Sequence, residues 1–404
     1  MVSNLLSFSS VLKYGGYILI AILVLLFMVL IHELGHYIAG KILKFKINEF
    51  SIGFGPKIFQ KKNKSGELIS LRVFPLGGYC AFEGETEESK DNPQAFNNQK
   101  PWKRLIVLFC GAFFNFLSAI IFSFILLMSS GYDLVQVKTV APTSINYGYF
   151  QTGDVIYGVN DTKIDFVEDK YFSSLVTVYL EENYDEYVGD ITQESNTFTK
   201  DSKTYYLVER PIKFNVIRGD REMSVHGYVN AIYNDKGEYT SGWSLFTTYS
   251  ENDEEFNAEN YKYSFTESLT QAVPFTCKWV WKVLVVFGQL ITGKLAITSL
   301  GGPVTTVTMI ANFTQQNMLL LLLPLIAVNL AVFNLLPIPA LDGFQMIFTA
   351  IEWIRKKPIK REIINTINNV GLIVLFGFVI LVDILQFVLW FKTRVGWHSC
   401  FFLI

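Results

Sequence analysis

The sequence predicts a polytopic α-helical membrane protein of about four transmembrane helices, with a membrane-associated β-hairpin and an inserted extracytoplasmic β-rich domain. Of the 404 residues, 50% are hydrophobic and 15% aromatic, and the mean hydropathy is +0.31. Residues 41–104 contain twelve Lys and Arg against seven acids, whereas residues 151–260 contain twenty-two acids against nine Lys and Arg. Because cytoplasmic loops carry an excess of basic residues, the basic segment is predicted inside and the acidic segment outside.

Long apolar segments give the predicted spans, which are residues 17–40, 105–128, 318–336 and 371–391. The first would form a helix of about 36 Å, enough to cross a bilayer. Residues 280–291 are too short to span and contain Lys282. They are predicted to form a helix at the membrane interface or packed on the bundle, with Trp279 and Trp281 as anchors.

The first span ends in the motif HELGH at residues 32–36. His32 and His36 lie on one face of a helix, close enough to share a metal ion, and Glu33 between them can reach a water on that metal. Chance would produce such a motif only on the order of a few times per thousand sequences with so few histidines. Since histidines in a spanning helix are costly unless functional, the motif predicts a zinc-hydrolase site.

The third span ends in PIPALDG at residues 337–343, where prolines stop the helix at membrane depth. Irregular backbone at that depth is tolerated only where it is buried in protein or lines a cavity. Counting spans from the basic loops places both termini outside, and HELGH and Asp342 at the inner ends of their spans. These two segments are therefore predicted at the same depth. Asp383, in the last span, is predicted to be a partnered structural acid.

Two further segments read as β-structure. Residues 68–73 form a predicted strand that the following FPLGGY turns back into residues 80–82, as a hairpin. An ordinary surface hairpin fits this pattern equally well. GDVIYGVN at residues 153–160 reads as a turn, strand and turn, and residues 213–229 read as a second hairpin. Four well-separated cysteines, Cys80, Cys110, Cys277 and Cys400, indicate neither a disulfide framework nor a thiolate zinc site, and nothing indicates nucleic-acid binding.

Several motifs, in this order, resemble the site-2 protease family of intramembrane zinc metalloproteases, in its bacterial RseP-like branch. They are HELGH, FSIGFGP at residues 50–56, PLGGY at 75–79, AFNNQKPWKR at 95–104 and NLLPIPALDG at 334–343. The resemblance covers nearly the whole chain. The sequence departs from the family pattern at Gly40, where Ala is frequent, and at Ala112, where Pro is usual, which places local helix packing in question rather than the chemistry.

The resemblance implies a zinc ion held by His32, His36 and Asp342, with a fourth position left for water. Glu33 would be the catalytic base, and Asn334 would line the active site and could donate to a developing oxyanion. A purely structural role for Asn334 stays open. The PLGGY hairpin is expected to engage substrate, and the residues expected to do so are Val73, Gly77, Gly78 and Tyr79.

The resemblance also gives a domain plan. Residues 1–130 would be an N-terminal membrane part with the HExxH helix, the hairpin and the second span. Residues 131–262 would be a single PDZ-like extracytoplasmic domain, and residues 263–404 a C-terminal membrane part with the interfacial helix, the LDG-bearing span and the last span. The expected location is the bacterial inner or plasma membrane, with both termini and the PDZ-like domain outside and the active site near the cytoplasmic side.

The implied function is zinc-dependent hydrolysis of peptide bonds in transmembrane segments of single-pass proteins, as in regulated intramembrane proteolysis. The expected partners are the lipid bilayer and substrates such as anti-sigma factors or remnants of signal peptides. Two alternatives stay open. One is a catalytically inactive scaffold that binds partners through its PDZ-like domain, although the intact HELGH and Asp342 argue against it. The other is a membrane metalloprotease that cuts soluble or peripheral chains.

Overall fold

A computed structural model describes residues 8–85, 92–131, 134–142, 144–168, 170–185, 196–200, 202–245 and 256–395. Contacts divide the chain into two compact units, one of Met1–Ser123 and Ala272–Ile404 and the other of Phe124–Gln271. Cys80, Cys110 and Cys277 are free thiols. Cys400 and the predicted outer C-terminus lie outside the described residues.

The described elements follow one another as helices and strands along the chain. The helices are α1 (Phe8–Ile42), α2 (Pro101–Ser129), α3 (Phe172–Tyr184), α4 (Phe265–Ile291), α5 (Pro303–Gln315), α6 (Leu319–Leu335), α7 (Asp342–Arg355) and α8 (Arg361–Val395). The strands are β1 (Ile47–Lys62), β2 (Leu68–Phe82), β3 (Val135–Val140), β4 (Val155–Val159), β5 (Thr162–Lys163), β6 (Asn196–Lys200), β7 (Lys203–Arg218), β8 (Arg221–Tyr233), β9 (Tyr239–Ser244) and β10 (Phe256–Asn260).

Among the described residues, three helices are long and apolar enough to cross a membrane. Their apolar segments are Lys13–Ile42 in α1, Pro101–Ser129 in α2 and Glu362–Leu389 in α8. The shortest has 28 residues, or about 42 Å of helix, which exceeds a hydrocarbon layer of about 30 Å. The third predicted span is the shorter helix α6, whose 17 residues extend about 26 Å.

Strands β1 and β2 form one sheet in which both strands are bent and most, but not all, of the pairing is antiparallel. Residues 49–52 of β1 pair on one side with residues 78–81 of β2 and on the other side with residues 68–71. Residues 57–62 of β1 then pair with the outer side of that second segment. The sheet therefore has the layout of four short strands. Residues 78–82 lie along one edge of it and are called the edge segment of β2 below.

This layout corrects the predicted hairpin. Residues 68–73 and 80–82 do not pair with each other, because the first half of β1 lies between them. The sequence-based pairing was wrong because it ignored the preceding segment, FSIGFGP, as a strand. The chain bends at Gly53 and Gly77, whose φ angles of 82° and 139° lie in the region that favours glycine. The hairpin is formed by β1 and β2 as wholes.

Polar contacts of Glu67 and an apolar cluster hold this sheet on α1. Glu67, the residue before β2, is 4% exposed. It accepts a hydrogen bond from Tyr37 Oη at 3.0 Å and pairs with Lys41, both on α1. The apolar cluster beside them consists of Ala39, Phe45, Ile47, Cys80, Phe82, Phe96, Val107 and Leu108. Together these contacts fix the edge segment of β2 beside the HELGH turn of α1.

Polar contacts of Glu352 and Asp383 hold the C-terminal helices of the same unit. Arg104 of α2 and Glu352 of α7 form a buried ion pair, and Glu352 Oε1 also accepts the Ile359 N–H at 2.9 Å. Asp383 of α8 accepts the Val304 N–H at 3.5 Å, in the first turn of α5. Asp383 Oδ2 thus has a backbone partner, in line with the partnered acid that the sequence predicted, whereas its Oδ1 has no hydrogen-bond partner among the described residues.

Helix α4 begins well before the predicted residues 280–291. Its start is a capping box: Ser264 Oγ accepts the Glu267 N–H at 3.3 Å, and Glu267 Oε2 accepts the Ser264 N–H at 2.8 Å. Of the two predicted anchors, Trp279 is buried and Trp281 is 69% exposed.

In the described residues of the second unit, eight strands form an antiparallel sheet in the order β10–β3–β4–β7–β8–β9, with β5 paired to β4 and β6 to β7. The predicted second hairpin is confirmed as the long β7–β8 pair. Helix α3 packs on the sheet through Val176 and Leu180, which are fully buried. Asp154, in the GDVIYGVN turn, is 1% exposed and accepts hydrogen bonds from the Arg218 guanidinium at 2.7 and 2.8 Å.

Candidate metal centre and catalytic cavity

Two buried histidines and a partly buried aspartate, all able to bind metal, meet between α1 and the start of α7. His32 and His36 are 8% and 7% exposed, and their Nε2 atoms are 3.1 Å apart. Asp342 Oδ2 lies 3.0 Å from His32 Nε2 and 3.2 Å from His36 Nε2. Asp342 is the first residue of α7, and Ala340, at a φ of 74°, turns the chain from α6 toward it. The structure therefore brings the three predicted ligands together.

The arrangement of these groups fits a zinc ion. Two imidazole nitrogens and one carboxylate oxygen are the donor set of catalytic zinc sites, and the three atoms all lie within 4.8 Å of one another. His36 Nδ1 donates to Val107 O at 2.8 Å. That bond fixes the ring and its tautomer, and leaves the Nε2 lone pair directed at the other two donors.

Glycines let α1 and α2 approach closely at this point. A Cβ on Gly35 would lie 2.8 Å from the backbone carbon of Cys110, and one on Gly111 would lie 2.7 Å from His32 Cε1. Real Cβ atoms do not come so close, so a larger residue at either position would displace a helix or a histidine ring. The two glycines therefore allow α2 to form the wall behind the histidines.

A cavity of about 490 Å³ opens beside the three residues, and its wall includes Glu33, Tyr79, Cys80, Asn115, Asn334 and Asp342. Glu33 accepts a hydrogen bond from the Cys80 N–H and is not one of the three converging residues. The predicted base and the predicted Asn334 thus face the same cavity as the predicted ligands.

The four residues expected to contact substrate are placed differently from one another. Tyr79 lines the cavity. Gly78 packs against α1, since a Cβ there would lie 3.7 Å from Glu33 Cγ. Neither Val73 nor Gly77 is among the described residues of the cavity wall. Both lie near the bend that leads into the edge segment, away from the converging residues.

Sequence reasoning missed two residues of the cavity wall, Asn115 and Glu85. Asn115 of α2 is fully buried, and a polar residue inside an apolar span is the signal that could have indicated it. Glu85 accepts the Phe82 N–H at 3.3 Å. Burial raises the pKa of the Glu85 carboxyl to about 7. Its only sequence signal is its position shortly after PLGGY.

Comparison with known proteins gives the family of this chain. The model of peptidase family M50 matches residues 20–378. The chain belongs to peptidase family M50. Among the similar proteins are relatives named "Putative zinc metalloprotease". The relative from Clostridium perfringens is 30% identical over 372 residues, which are 91% of this chain and 97% of its own. That from Nostoc sp. is 29% identical, with 89% and 93% covered, and that from Campylobacter jejuni is 27% identical, with 90% and 91% covered.

Family M50 is the site-2 protease family, and it is zinc-dependent, so the predicted resemblance, enzyme class and cofactor are confirmed. The protein is a zinc metalloendopeptidase with apolar helices suited to a membrane. The converging histidines and aspartate lie within the matched residues.

Proposed function

We propose that this M50 protease hydrolyses peptide bonds within transmembrane segments of single-pass membrane proteins, as the second cut of regulated intramembrane proteolysis. The observation that carries the proposal is the location of His32 and His36 inside the apolar segment Lys13–Ile42 of α1. A soluble chain would have to enter hydrocarbon to reach them, whereas a transmembrane segment is already there. The same cleavage sequence is expected to be cut when membrane-embedded and spared when presented on a soluble protein.

His32, His36 and Asp342 would hold the zinc ion. When bound, zinc supplies Lewis-acid polarisation of the scissile carbonyl and of a water molecule. Glu33 takes the proton of the attacking water and later gives it to the leaving amine, because its carboxyl faces the cavity without joining the ligands. Asn334, on the cavity wall, donates an amide N–H to the oxyanion.

The edge segment of β2 would hold the substrate as an added strand. A helix must unwind before one of its bonds can be cut, and its freed N–H and C=O groups cost several kcal/mol each in hydrocarbon unless they are paired. The N–H groups of Cys80 and Phe82 point to the cavity side, since they donate to Glu33 and Glu85. Because they are two residues apart on one strand, an extended substrate can replace both carboxylates as the acceptor.

Residues 69–71 of β2 offer no such edge, because they are paired on both sides within the sheet. A cysteine at Ala81 is expected to crosslink to a cysteine near the substrate's cleavage site, in an inactive Glu33→Gln enzyme without native cysteines. A cysteine at Leu71, which is also accessible at 42% exposure, is the matched control and is expected not to crosslink. Crosslinking at Leu71 but not at Ala81 would refute addition at the edge.

The second unit would act as a PDZ-like filter on the extracytoplasmic side, limiting access to substrates whose outer part has been trimmed. Strand β9 is at the end of the sheet and faces α3, the arrangement that accepts an extended peptide. Trp243 Nε1 donates to Thr177 Oγ1 at 3.1 Å, and Ser241 Oγ donates to Glu181 at 2.8 Å. Deleting the unit should preserve or broaden cleavage of a short model substrate, and a folded deletion that cuts nothing would refute the filter role.

The proposed location is the bacterial inner or plasma membrane, with both termini and the second unit outside and the catalytic cavity near the cytoplasmic side. The charge separation supports this orientation, because residues 41–104 are basic and residues 151–260 acidic. Labelling of single cysteines with a membrane-impermeant reagent tests it. A cysteine at Lys64 should react only from inside, and one at Asp235 only from outside.

Substrate identity is best found with the inactive enzyme. Comparing membranes of cells that carry wild-type or Glu33→Gln enzyme should reveal trimmed single-pass proteins that accumulate only with the variant. Anti-sigma factors and signal-peptide remnants are the expected classes. If the two membranes contain the same proteins and no purified transmembrane substrate is cut, the alternative of an inactive scaffold is favoured.

A further inference from the structure

Two asparagines flank the same nitrogen of His32. Asn334 Nδ2 lies 3.2 Å and Asn115 Nδ2 lies 3.4 Å from His32 Nδ1. The other ring nitrogen, Nε2, faces His36 and Asp342. The two amides come from different helices, α2 and α6, and both line the catalytic cavity.

The chemistry of imidazole decides what His32 Nδ1 requires. A neutral ring that gives the Nε2 lone pair to a metal carries its only proton on Nδ1, which is then a donor. His36 shows the pattern, since its Nδ1 has the backbone carbonyl of Val107 as acceptor at 2.8 Å. An amide nitrogen cannot accept a hydrogen bond. One of the two asparagines must therefore turn its Oδ1 toward His32, a rotation that barely changes the shape of the amide.

Burial distinguishes the two asparagines. Asn115 is fully buried, and among the described residues its Oδ1 has no hydrogen-bond partner. Asn334 is only partly buried, in the last turn of α6, where a substrate or water can reach its amide. A bond between Asn115 Oδ1 and His32 satisfies the orphan oxygen and the ring N–H together.

We propose that Asn115 is the acceptor for His32 Nδ1–H, which makes it a positioning residue of the metal centre and leaves the Asn334 amide free to donate to the substrate carbonyl. This assignment rests on the proposed role of His32 as a zinc ligand. The two asparagines, which lie beside the same ring nitrogen, then have separate roles. Asn115 sets zinc affinity, and Asn334 sets the rate of the chemical step.

The test measures zinc affinity by chelator competition on the purified full-length protein, which needs no substrate. Asn115→Leu removes the acceptor and should weaken zinc binding by about 10- to 100-fold, the usual loss for a partner of a liganding histidine. Asn115→Asp keeps an acceptor oxygen in the same place and should bind zinc at least as tightly as the wild type. Ser123→Ala, which removes another buried polar group of α2 at its bond to Thr276, is the matched control and should leave zinc affinity unchanged.

Asn334→Leu should show the opposite pattern. Its zinc affinity should stay within about twofold of the wild type, while kcat at saturating zinc falls by about 10²–10³, as for loss of an oxyanion donor. If Asn334→Leu weakens zinc binding and Asn115→Leu does not, Asn334 is the acceptor and the proposal is overturned. Equal zinc affinity in both variants overturns it as well.

Two further comparisons separate these outcomes from misfolding of a variant and from failure of the proposed metal centre itself. If Asn115→Leu fails to fold, the comparison of Asn115→Ser with Asn115→Asp replaces it, and the serine variant should lose zinc affinity. Failure of the proposed metal centre itself has a different signature. In that case His32→Ala binds zinc as well as the wild type does, whatever stands at position 115.

Discussion

The ion pair between Arg104 and Glu352 offers a quantitative test of how α7, and with it Asp342, is held in place. The two side chains are 4% and 7% exposed. Replacing one member of such a buried pair leaves the other charged and unpaired, which costs about 3–5 kcal/mol. Arg104→Met and Glu352→Leu are each expected to lower the free energy of unfolding by this amount.

The double variant is expected to recover most of that loss. With both charges replaced by apolar side chains, the remaining deficit is the hydrogen bond between Glu352 and the Ile359 N–H, about 1 kcal/mol. The double variant should therefore be more stable than either single variant by about 2 kcal/mol or more. Lys103→Met is the matched control, since its partners are Gln99 and a backbone carbonyl, and it should cost less than about 1 kcal/mol.

The assay is reversible unfolding in mixed micelles, followed by tryptophan fluorescence, with zinc affinity measured on the same samples. Because Asp342 and Glu352 lie on one helix, the single variants should also bind zinc more weakly, and the double variant should regain affinity. Two results would refute the reasoning. One is a pair of single variants within about 1 kcal/mol of the wild type, and the other is a double variant whose losses simply add.

Three further predictions concern other parts of the molecule. Gly111→Ala should lower zinc affinity about tenfold or more, because its Cβ would meet a histidine ring, whereas Gly377→Ala, with open space around its Cβ, should not. Arg218→Met should destabilise the second unit by about 1.5–3 kcal/mol, because its aspartate partner is buried. Hydrogen bonds from Ser264 lower the pKa of Glu267 below its ordinary 4.5, so this group stabilises the fold above pH 4.5 and the contribution disappears as the pH falls through the lowered pKa. Glu267→Gln should therefore reduce the melting temperature at pH 7 and lose less than the wild type on acidification.

A different experimental result would contradict each of these three predictions. Normal zinc binding by the alanine variant at position 111 would mean that α1 and α2 are further apart than described. An unchanged melting transition in Arg218→Met would mean that other groups donate hydrogen bonds to Asp154 in its place. If the melting temperatures of the wild type and of Glu267→Gln fall in parallel from pH 7 to pH 3, the capping box is not a source of acid sensitivity.

The two histidines of the candidate metal centre were predictable because their spacing follows from helix geometry, whereas Asp342 was named as the third ligand by the family resemblance. Two histidines four residues apart face the same way on any helix, and the depth of a span end follows from counting spans. The convergence of Asp342 with His32 and His36 therefore agrees with what the sequence indicated. Asn115 was harder to place, because its side-chain direction depends on how α2 rotates against α1, which the glycine contacts fix and which spacing alone does not reveal.

The hairpin prediction failed for a different physical reason. Alternation and turn residues show where a chain can be extended, but strand partners depend on long-range pairing. Residues 68–73 and 80–82 both qualify as strands, yet residues 68–71 and 80–81 pair with residues 49–52, which lie between them. The start of α4 was missed although its signal is local. Ser264 and Glu267 form an S-x-x-E capping box, which marks the start of a helix well before the apolar run.

The most direct test of the account is the zinc content of purified Glu33→Gln and Asp342→Ala enzymes, measured beside cleavage of a membrane-embedded substrate. The account predicts that Glu33→Gln keeps about as much zinc as the wild type and cuts nothing, because Glu33 is a base and not a ligand. Asp342→Ala should lose both zinc and cleavage, since two histidines alone remain. Loss of zinc from Glu33→Gln would contradict its role as a base. Stoichiometric zinc in Asp342→Ala would show that another acid, with Glu85 on the cavity wall the first to examine, completes the metal centre.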